Sequence, residues 1–261
     1  MSDEELRGVV LAGGTGSRLF PLTKVTNKHL LPIAREPMIF YPVKKLVEAG
    51  IREILIVTGT EHMGDVVSLL GSGKEFGCEF TYRVQDEAGG IAQALGLARR
   101  FGRGGRLAVI LGDNIFESSI APFAEAYRRQ PRGAKVLLQE VHDPGRYGVA
   151  VTQGEGADGK VVRIIEKPQN PPSNLAVTGI YFYDTALHEI IAELKPSKRG
   201  ELEITDVNNA YIARGELTFD VLPGWWTDAG TFESLWHASN MVREKVKATV
   251  GVEEEAGVRG A

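Results

Sequence analysis

Gly8-Val9-Val10-Leu11-Ala12-Gly13-Gly14-Thr15-Gly16-Ser17-Arg18 is a short apolar run that passes directly into a glycine-rich turn. Glycines have no Cβ, so such a turn lets the backbone approach a ligand, and its successive N–H groups form a concavity that favours anions. Arg18 and Lys28 place positive charge beside the turn. The stretch therefore predicts a phosphate-binding loop, and a plain glycine-rich turn between a strand and a helix is the alternative.

Two common glycine loops do not match this stretch. The dinucleotide-binding fingerprint needs a third small residue for close packing of helix on strand, and Leu19 stands there. The Walker loop ends in Gly-Lys-Ser or Gly-Lys-Thr, whereas Gly16 is followed by Ser17 and Arg18. A phosphate site here would thus belong to another class of nucleotide-binding protein.

Apolar spacing alternates between strand and helix over roughly the first 140 residues. The predicted strands are residues 9–11, 53–57, 80–84, 107–111 and 136–140, and the predicted helices are residues 38–49, 62–70, 91–100 and 120–130. Pro37 suits the first turn of a helix, and Gly50 suits the position after a helix end. The alternation predicts a doubly wound, Rossmann-like α/β sheet.

After residue 140 the pattern changes to strands at 147–152, 160–166 and 176–183, with no full helices between them. Helices are predicted again at 185–194, 205–214 and 231–247, the second capped by Thr205 or Asp206 and ended by Gly215. We interpret residues 1–245 as one domain, with a nucleotide-binding half to about 140 and an inserted substrate lobe in 141–245. Residues 246–261 are expected to form a loose tail.

Composition excludes several classes of protein. The chain has 261 residues, of which 43% are apolar, and a net charge of −4 without a basic run, so we expect a large folded core and no nucleic-acid partner. Cys78 is the one cysteine, which excludes an internal disulfide and agrees with a reducing compartment. No apolar stretch approaches a membrane span, and the N-terminus lacks the basic start of a signal peptide, so a cytoplasmic location away from membranes is expected.

Two acidic residues stand where a ligand is expected. Asp113 follows the apolar strand 107–111, and ligands of open α/β sheets bind outside the carboxyl ends of such strands. Asp228 lies between a pair of tryptophans and a glycine. Two carboxylates beside a phosphate loop suit Mg²⁺, which completes its shell with water and phosphate oxygens. Alternatively, Asp113 caps a turn and Asp228 begins a helix.

Two charged segments are further candidates. Glu166-Lys167-Pro168 ends a strand, where the carboxylate suits sugar hydroxyls and the ammonium suits a phosphate; an ordinary exposed ion pair is the alternative. Arg199 lies in a charged stretch before a helix, where it is either a solvated residue or an anion contact.

Taken together, these motifs resemble the sugar nucleotidylyltransferases, specifically a short form of the glucose-1-phosphate thymidylyltransferase group. The similarity runs from about residue 7 to 243 and keeps the family's order. The matching motifs are the glycine loop through Arg18, Lys28-His29-Leu30-Leu31-Pro32, Pro37-Met38-Ile39-Phe40-Tyr41-Pro42, Tyr82, Gln85, Gly90-Ile91-Ala92-Gln93-Ala94, Leu111-Gly112-Asp113-Asn114, Tyr147-Gly148-Val149, Glu166-Lys167-Pro168, Val177-Thr178-Gly179, the segment 199–206, and Asp228-Ala229-Gly230.

The resemblance implies a reaction and a role for each matching residue. A sugar 1-phosphate oxygen would attack the α-phosphorus of a nucleoside triphosphate in line, releasing pyrophosphate without an enzyme nucleophile. It implies dTTP and glucose 1-phosphate as substrates, Mg²⁺ as cofactor, dTDP-glucose as product, and assembly as a dimer or tetramer. By residue match, Arg18 and Lys28 are catalytic; Gly13, Gly14, Thr15, Gly16 and Asp113 bind the nucleotide; Asp113 and Asp228 hold the metal; Gly148, Glu166 and Val177 bind sugar hydroxyls; Lys167 and Arg199 bind the sugar phosphate.

Base selection is assigned to Gln85 and to the backbone of Leu11 and Gly90. The Gln85 amide can face thymine or uracil but can also flip to suit cytosine, so we expect the fixed N–H of Gly90 to discriminate. Thymine differs from uracil by one methyl group, so a UTP-using enzyme, or one using another sugar phosphate, remains an alternative, and a non-catalytic sugar-nucleotide sensor is a remote one. His29 replaces the usual glutamine, and Ala88-Gly89 replaces the common Pro-Asp.

Overall fold

The glycine-rich turn follows a strand at the centre of the sheet. In this computed structural model, which describes residues 5–154 and 159–258 and side chains as far as residue 245, strand β1 is Leu6–Ala12. All its residues are buried, which explains the unbroken apolar run from Gly8 to Ala12. The next strands are β2 Pro32–Ile33, β3 Glu36–Pro37, β4 Glu53–Gly59, β5 Glu79–Gln85, β6 Arg106–Leu111, β7 Asn114–Phe116, β8 Ala134–Glu140, β9 Gly148–Gln153, β10 Lys160–Glu166, β11 Leu175–Tyr183, β12 Leu217–Val221 and β13 Trp226–Asp228.

One half of the main sheet is parallel. Strand β1 lies between β6 and β4, and β5 pairs with the far edge of β4. The carboxyl ends of these four strands meet at one edge of the sheet, which carries the glycine loop, Gln85 and the approach to Asp113. The predicted doubly wound α/β fold is confirmed, and this edge is where such a fold binds ligands.

The other half of the sheet is mixed. Strand β11 runs antiparallel to β8 along one side, with β12 beyond β8. Its other side pairs with β6 through Ile180 to Tyr183 and with the β9–β10 hairpin through Ala176. Between these two partners, residues 177–179 of β11 pair with neither strand on this side, so the sheet divides there. This division lies beside the end of β6.

The sheet is covered on both faces. The helices are α1 Phe40–Glu48, α2 Met63–Leu70, α3 Ile91–Gly96, α4 Arg99–Gly102, α5 Ala121–Arg129, α6 Leu187–Glu193, α7 Ile204–Ala213 and α8 Phe232–Val258. One apolar layer contains Val10 with side chains of α1, α2 and α5; the other contains Val9 and Leu11 with side chains of α3, α6 and α7. Successive residues of β1 point to opposite faces, so full burial of each aliphatic side chain contributes about 1.5–3 kcal/mol to one of the two layers.

Several element boundaries differ from the sequence predictions. Pro37 is not in a helix but pairs with Pro32 in the β2–β3 hairpin, and α1 begins at Phe40. The predicted helix 91–100 is divided into α3 and α4. Helix α7 begins at Ile204 with Glu203 as its N-cap, because the Thr205 hydroxyl is engaged by Glu166 instead of capping the helix.

The end of the chain also differs from the expectation of a loose tail from residue 246. Helix α8 continues to Val258, while residues 259–261 lie outside the described part. Among the described residues, no helix has both the length and the apolarity needed to cross a bilayer.

Short antiparallel pairs outside the main sheet were not predicted. Strand β7 pairs with β13, and in this register Asp228 lies opposite Asn114. The backbone N–H of Ala229 also donates to the Asp113 carbonyl at 2.8 Å. This pairing brings together the two acidic residues that are far apart in sequence.

Candidate active site

The glycine loop turns sharply after β1. Gly16 has φ +66°, and a Cβ there would lie 2.8 Å from the Thr23 side chain, so both conformation and space require glycine. Gly14 lies beside the Lys28 side chain, whose Cε is 3.4 Å from the position that a Cβ would take. The segment Ser17–Leu19 is one short 3-10 turn and not the long helix that follows a dinucleotide or Walker loop. The loop therefore places its backbone beside a lysine ammonium.

Lys28 forms an ion pair with Asp113, with Nζ 2.5 Å from Oδ2 and each side chain 12% exposed. Burial acts to raise the pKa of the Asp113 carboxyl, but the Lys28 ammonium acts to lower it, and the net result lies well below the ordinary value. Asn114 Nδ2 also donates to Asp113 Oδ1 at 3.0 Å. Asp113 is thus a buried, ionised carboxylate at the end of β6 and does more than cap a turn.

His29 is packed beneath the same site. Asn27 Nδ2 donates to the Ala12 carbonyl at 3.2 Å, so its Oδ1 faces His29 and accepts from the His29 backbone N–H at 2.8 Å and from Nδ1–H at 2.6 Å. Burial, and secondly the charge of Lys28, lower the pKa of His29 to about 3. The ring is therefore neutral at physiological pH and cannot supply a positive charge.

Asp228 is in strand β13 and does not begin a helix. Its Oδ1 accepts a hydrogen bond from the Tyr147 hydroxyl at 3.0 Å and lies 3.4 Å from Arg146 Nη2. Burial, and then the negative charge of Asp113, raise the pKa of Asp228. Arg18 Nη2 and Asp228 Oδ2 lie 2.8 and 3.5 Å from the position that a Cβ on Gly230 would take, so this glycine leaves room for the arginine.

The donor set formed by Asp113 and Asp228 fits a hard divalent cation. Both groups are carboxylates, and their mutual repulsion is relieved by a positive charge between them. Within residues 5–154 and 159–258, no group of three or more His, Cys, Asp or Glu side chains has the geometry of a metal site. An ion here would complete its shell with water and substrate phosphate oxygens.

The predicted nucleotide residues line one cavity of about 290 Å³. Those present are Leu11, Gly13, Gly14, Thr15, Gln85, Gly90 and Asp113, and Lys28, which was predicted to be catalytic, lines the same cavity. Gly16 shapes the loop without lining the cavity. All five predicted sugar-phosphate residues, together with Arg18, line a second cavity of about 240 Å³: Gly148, Glu166, Lys167, Val177 and Arg199. Asp113, Ile91, Leu111 and Glu201 line both cavities, so the two spaces meet at the Asp113 carboxylate.

Size alone does not identify this site. A larger cavity, of about 650 Å³, lies between α1, the β2–β3 hairpin and α8, and none of the predicted site residues lines it. The site is identified by its convergent charged groups and its glycine loop.

Charged residues of the second cavity form a connected network. Glu166 accepts from the Thr205 hydroxyl at 2.6 Å and lies 3.5 Å from Lys167 Nζ. Arg199 Nη2 contacts both oxygens of Glu203 at 2.8 and 2.9 Å and lies 3.6 Å from Glu166. The ion pair between Glu166 and Lys167 is therefore present, but it lines a cavity. Arg199 faces the same cavity with its charge balanced by carboxylates.

Sequence reasoning missed the role of Asn114. Its Oδ1 accepts from Trp226 Nε1 at 2.7 Å and from the Gly179 backbone N–H at 2.9 Å. A Cβ at Gly179 would lie 2.6 Å from that oxygen. Asn114, the first residue of β7, thus joins β7 to the division in β11 and to β13, next to the two carboxylates. The signal in the sequence was a glycine inside an otherwise apolar strand.

This combination of an α/β sheet, a glycine loop and paired carboxylates defines a nucleotide-binding transferase site. The chain belongs to the nucleotidyl transferase family, whose model matches residues 7–245. Within that family it is similar to glucose-1-phosphate thymidylyltransferases. The one from Xanthomonas campestris pv. campestris is 45% identical over 241 residues, which cover 90% of this chain and 80% of that protein. The one from Neisseria meningitidis is 43% identical and covers 91% of this chain and 83% of its own length.

Solved structures agree with the family. A Bacillus anthracis protein described as a glucose-1-phosphate thymidylyltransferase, in complex with sucrose, is 60% identical with a TM-score of 0.87 and covers 91% of this chain and 95% of its own. UDP-glucose pyrophosphorylase complexed with UDP-glucose is 28% identical with a TM-score of 0.81, covering 92% of this chain and 99% of its own. The protein is therefore a nucleotidyltransferase.

Proposed function

We propose that the protein transfers a nucleotidyl group from dTTP to glucose 1-phosphate, giving dTDP-glucose and pyrophosphate. The observation that carries this proposal is the meeting of two cavities at Asp113: one lined by a glycine loop, the other by sugar- and phosphate-binding groups. Such a layout holds two substrates side by side with their phosphates in contact. The names of the curated relatives support the choice of thymidine nucleotide and glucose 1-phosphate.

In this reaction the protein positions the substrates and neutralises charge. The glycine loop and Lys28 would hold the triphosphate, while Lys167 and Arg199 would hold the sugar phosphate. An oxygen of the sugar phosphate attacks the α-phosphorus of the triphosphate. A P–O bond to that oxygen forms, and the bond from the α-phosphorus to pyrophosphate breaks. Arg18, which lines the second cavity, would stabilise charge on the reacting phosphates.

The sugar ring would be held by Glu166 and by the backbone of Gly148 and Val177. The Thr205 hydroxyl engages one oxygen of Glu166, which orients the carboxylate toward the cavity. Asp113 and Asp228 would hold Mg²⁺, which when bound neutralises phosphate charge. Tyr147 and Arg146 keep the Asp228 carboxylate in place for this role.

A uridylyltransferase is the second candidate, favoured by the likeness to UDP-glucose pyrophosphorylase. One methyl group in an apolar pocket is worth roughly 1–3 kcal/mol, so UTP should compete measurably with dTTP. A non-catalytic sensor is disfavoured, because Lys28, Asp113 and Asp228 all lie at the meeting point of the cavities. We further propose a cytoplasmic homo-oligomer, whose size analytical ultracentrifugation would measure.

The test is pyrophosphate release from a matrix of nucleoside triphosphates and sugar 1-phosphates, with and without Mg²⁺. We expect the largest kcat/KM for dTTP with glucose 1-phosphate, a smaller one for UTP by about 10- to 200-fold, and a loss of release when EDTA removes the metal. Release only with UTP would establish the second candidate. The absence of release with every pair would overturn the enzymatic proposal.

A further inference from the structure

The side-chain amide of Gln85 has a defined orientation. Gln85 lies at the end of β5, lines the nucleotide cavity and is 9% exposed. Its Nε2 donates to Gln93 Oε1 at 2.7 Å and to the Gly90 carbonyl at 3.2 Å. Both hydrogens of the amide nitrogen are therefore used within the protein.

Two backbone groups, which cannot flip, determine this orientation. The Gly89 N–H lies 3.1 Å from Gln93 and also donates to the Glu87 carbonyl, so the facing atom of Gln93 is its oxygen. That oxygen requires a donor from Gln85. The Gly90 carbonyl also requires a hydrogen-bond donor, and Gln85 Nε2 supplies it.

The Gln85 oxygen remains for the ligand. No described residue donates to Oε1, which lies 2.6 Å from the position that a Cβ on Gly13 would take, beside the glycine loop. Gln93 itself does not line the cavity. Space for its amide comes from Gly89, where a Cβ would lie 2.3 Å from Gln93 Nε2.

We propose that Gln93 is a specificity-determining positioning residue, which holds Gln85 so that only the amide oxygen faces the nucleotide base. This inference rests on the proposed nucleotide site. A lone acceptor matches the N3–H of thymine and uracil and opposes the N3 of cytosine, which is also an acceptor. Gln93 thus prevents the rotation of the Gln85 amide that would suit cytosine. Selection against cytosine therefore depends on Gln93 and Gly89.

The test compares binding of dTTP and dCTP, each with Mg²⁺ and without sugar phosphate, by isothermal titration calorimetry. Gln93→Met removes the acceptor while keeping length and helix propensity, and Gly89→Ala displaces the Gln93 amide from the other side. Gln93→Glu is the matched control, because a carboxylate still accepts from Gln85 Nε2 and from Gly89 N–H. Thermal unfolding checks that each variant is folded.

We expect wild type to prefer dTTP by at least about a hundredfold. Gln93→Met and Gly89→Ala should reduce this ratio by about tenfold or more, whereas Gln93→Glu should stay within about threefold of wild type. Equal binding of both nucleotides by wild type would overturn the inference. So would an equal loss of affinity for both in the folded variants, since that result describes a merely structural residue. Selective binding of dTTP without transfer to glucose 1-phosphate would instead contradict the proposed function and leave the role of Gln93 supported.

Discussion

Replacing His29 with glutamine should change how stability depends on pH. His29 is 2% exposed, and burial lowers its pKa from 6.5 to about 3. Below pH 6.5, His29 binds a proton in the unfolded chain but not in the folded protein, so the folded state loses stability as pH falls toward 3. Glutamine cannot take up a proton, and its amide nitrogen can still donate to Asn27.

The size of this change in stability follows from the interval between the ordinary pKa of His29, 6.5, and its pKa in the folded protein, about 3. Each pH unit inside it changes the free energy of unfolding by about 1.4 kcal/mol, so the His29 contribution falls by about 2–3 kcal/mol between pH 7 and pH 4.5. Other groups titrate in the same range, but they are common to wild type and His29→Gln. The difference in unfolding free energy between the two proteins should therefore shift by this amount in favour of the variant at low pH.

Urea unfolding at pH 7 and pH 4.5 measures the difference. His142→Gln is the matched control, because His142 is exposed. Its difference from wild type should change by only a few tenths of a kcal/mol. A His29→Gln difference that stays constant between the two pH values would contradict this prediction, because it would mean that folded His29 binds the proton as readily as the unfolded chain does.

Three further predictions concern the reacting centre. Asp113→Asn should lower kcat by about 10²–10⁴-fold in a protein that still folds but is less stable than wild type, because the buried Lys28 ammonium loses its partner; near-normal turnover would contradict its assignment to the metal. Lys28→Met should destabilise the fold by about 3 kcal/mol in urea unfolding, because it leaves the buried Asp113 carboxylate unpaired; adding Asp113→Asn should recover much of that stability without restoring turnover. Tyr147→Phe removes the hydrogen bond to Asp228, which contributes about 1 kcal/mol, and should raise the Mg²⁺ concentration for half-maximal activity several-fold. An unchanged Mg²⁺ titration would exclude a role of Tyr147 in positioning Asp228.

Strand and helix types were readable from the sequence because they depend on local periodicity. The continuous apolar runs of β1, β4 and β6 follow from burial on both faces, and each run lies within a few consecutive residues. Boundaries were less accurate where a tertiary contact overrides local preference. Thr205 suits an N-cap, yet its hydroxyl is taken by Glu166, and Pro37 suits a helix start, yet it pairs in a hairpin.

Most candidate residues were also identified from residue type and position. The glycine loop, Lys28 and Asp113 stand next to strands whose carboxyl ends must meet at one edge of a parallel sheet. Chemistry at that edge is predictable because the geometry of parallel strands is regular. Arg199 was predicted as an anion contact, but its bidentate pairing with Glu203 became visible only in the structure.

Short-range patterns in the sequence encode the α/β sheet, the glycine loop and the residue types that stand at the candidate site. The proximity of Asp228 to Asp113 depends instead on the β7–β13 pairing, and the orientation of the Gln85 amide depends on its hydrogen bond to Gln93. Strand register depends on hydrogen bonds between distant segments, and the amide orientation depends on how the turn after β5 places its donors and acceptors in space. No local pattern contains that information.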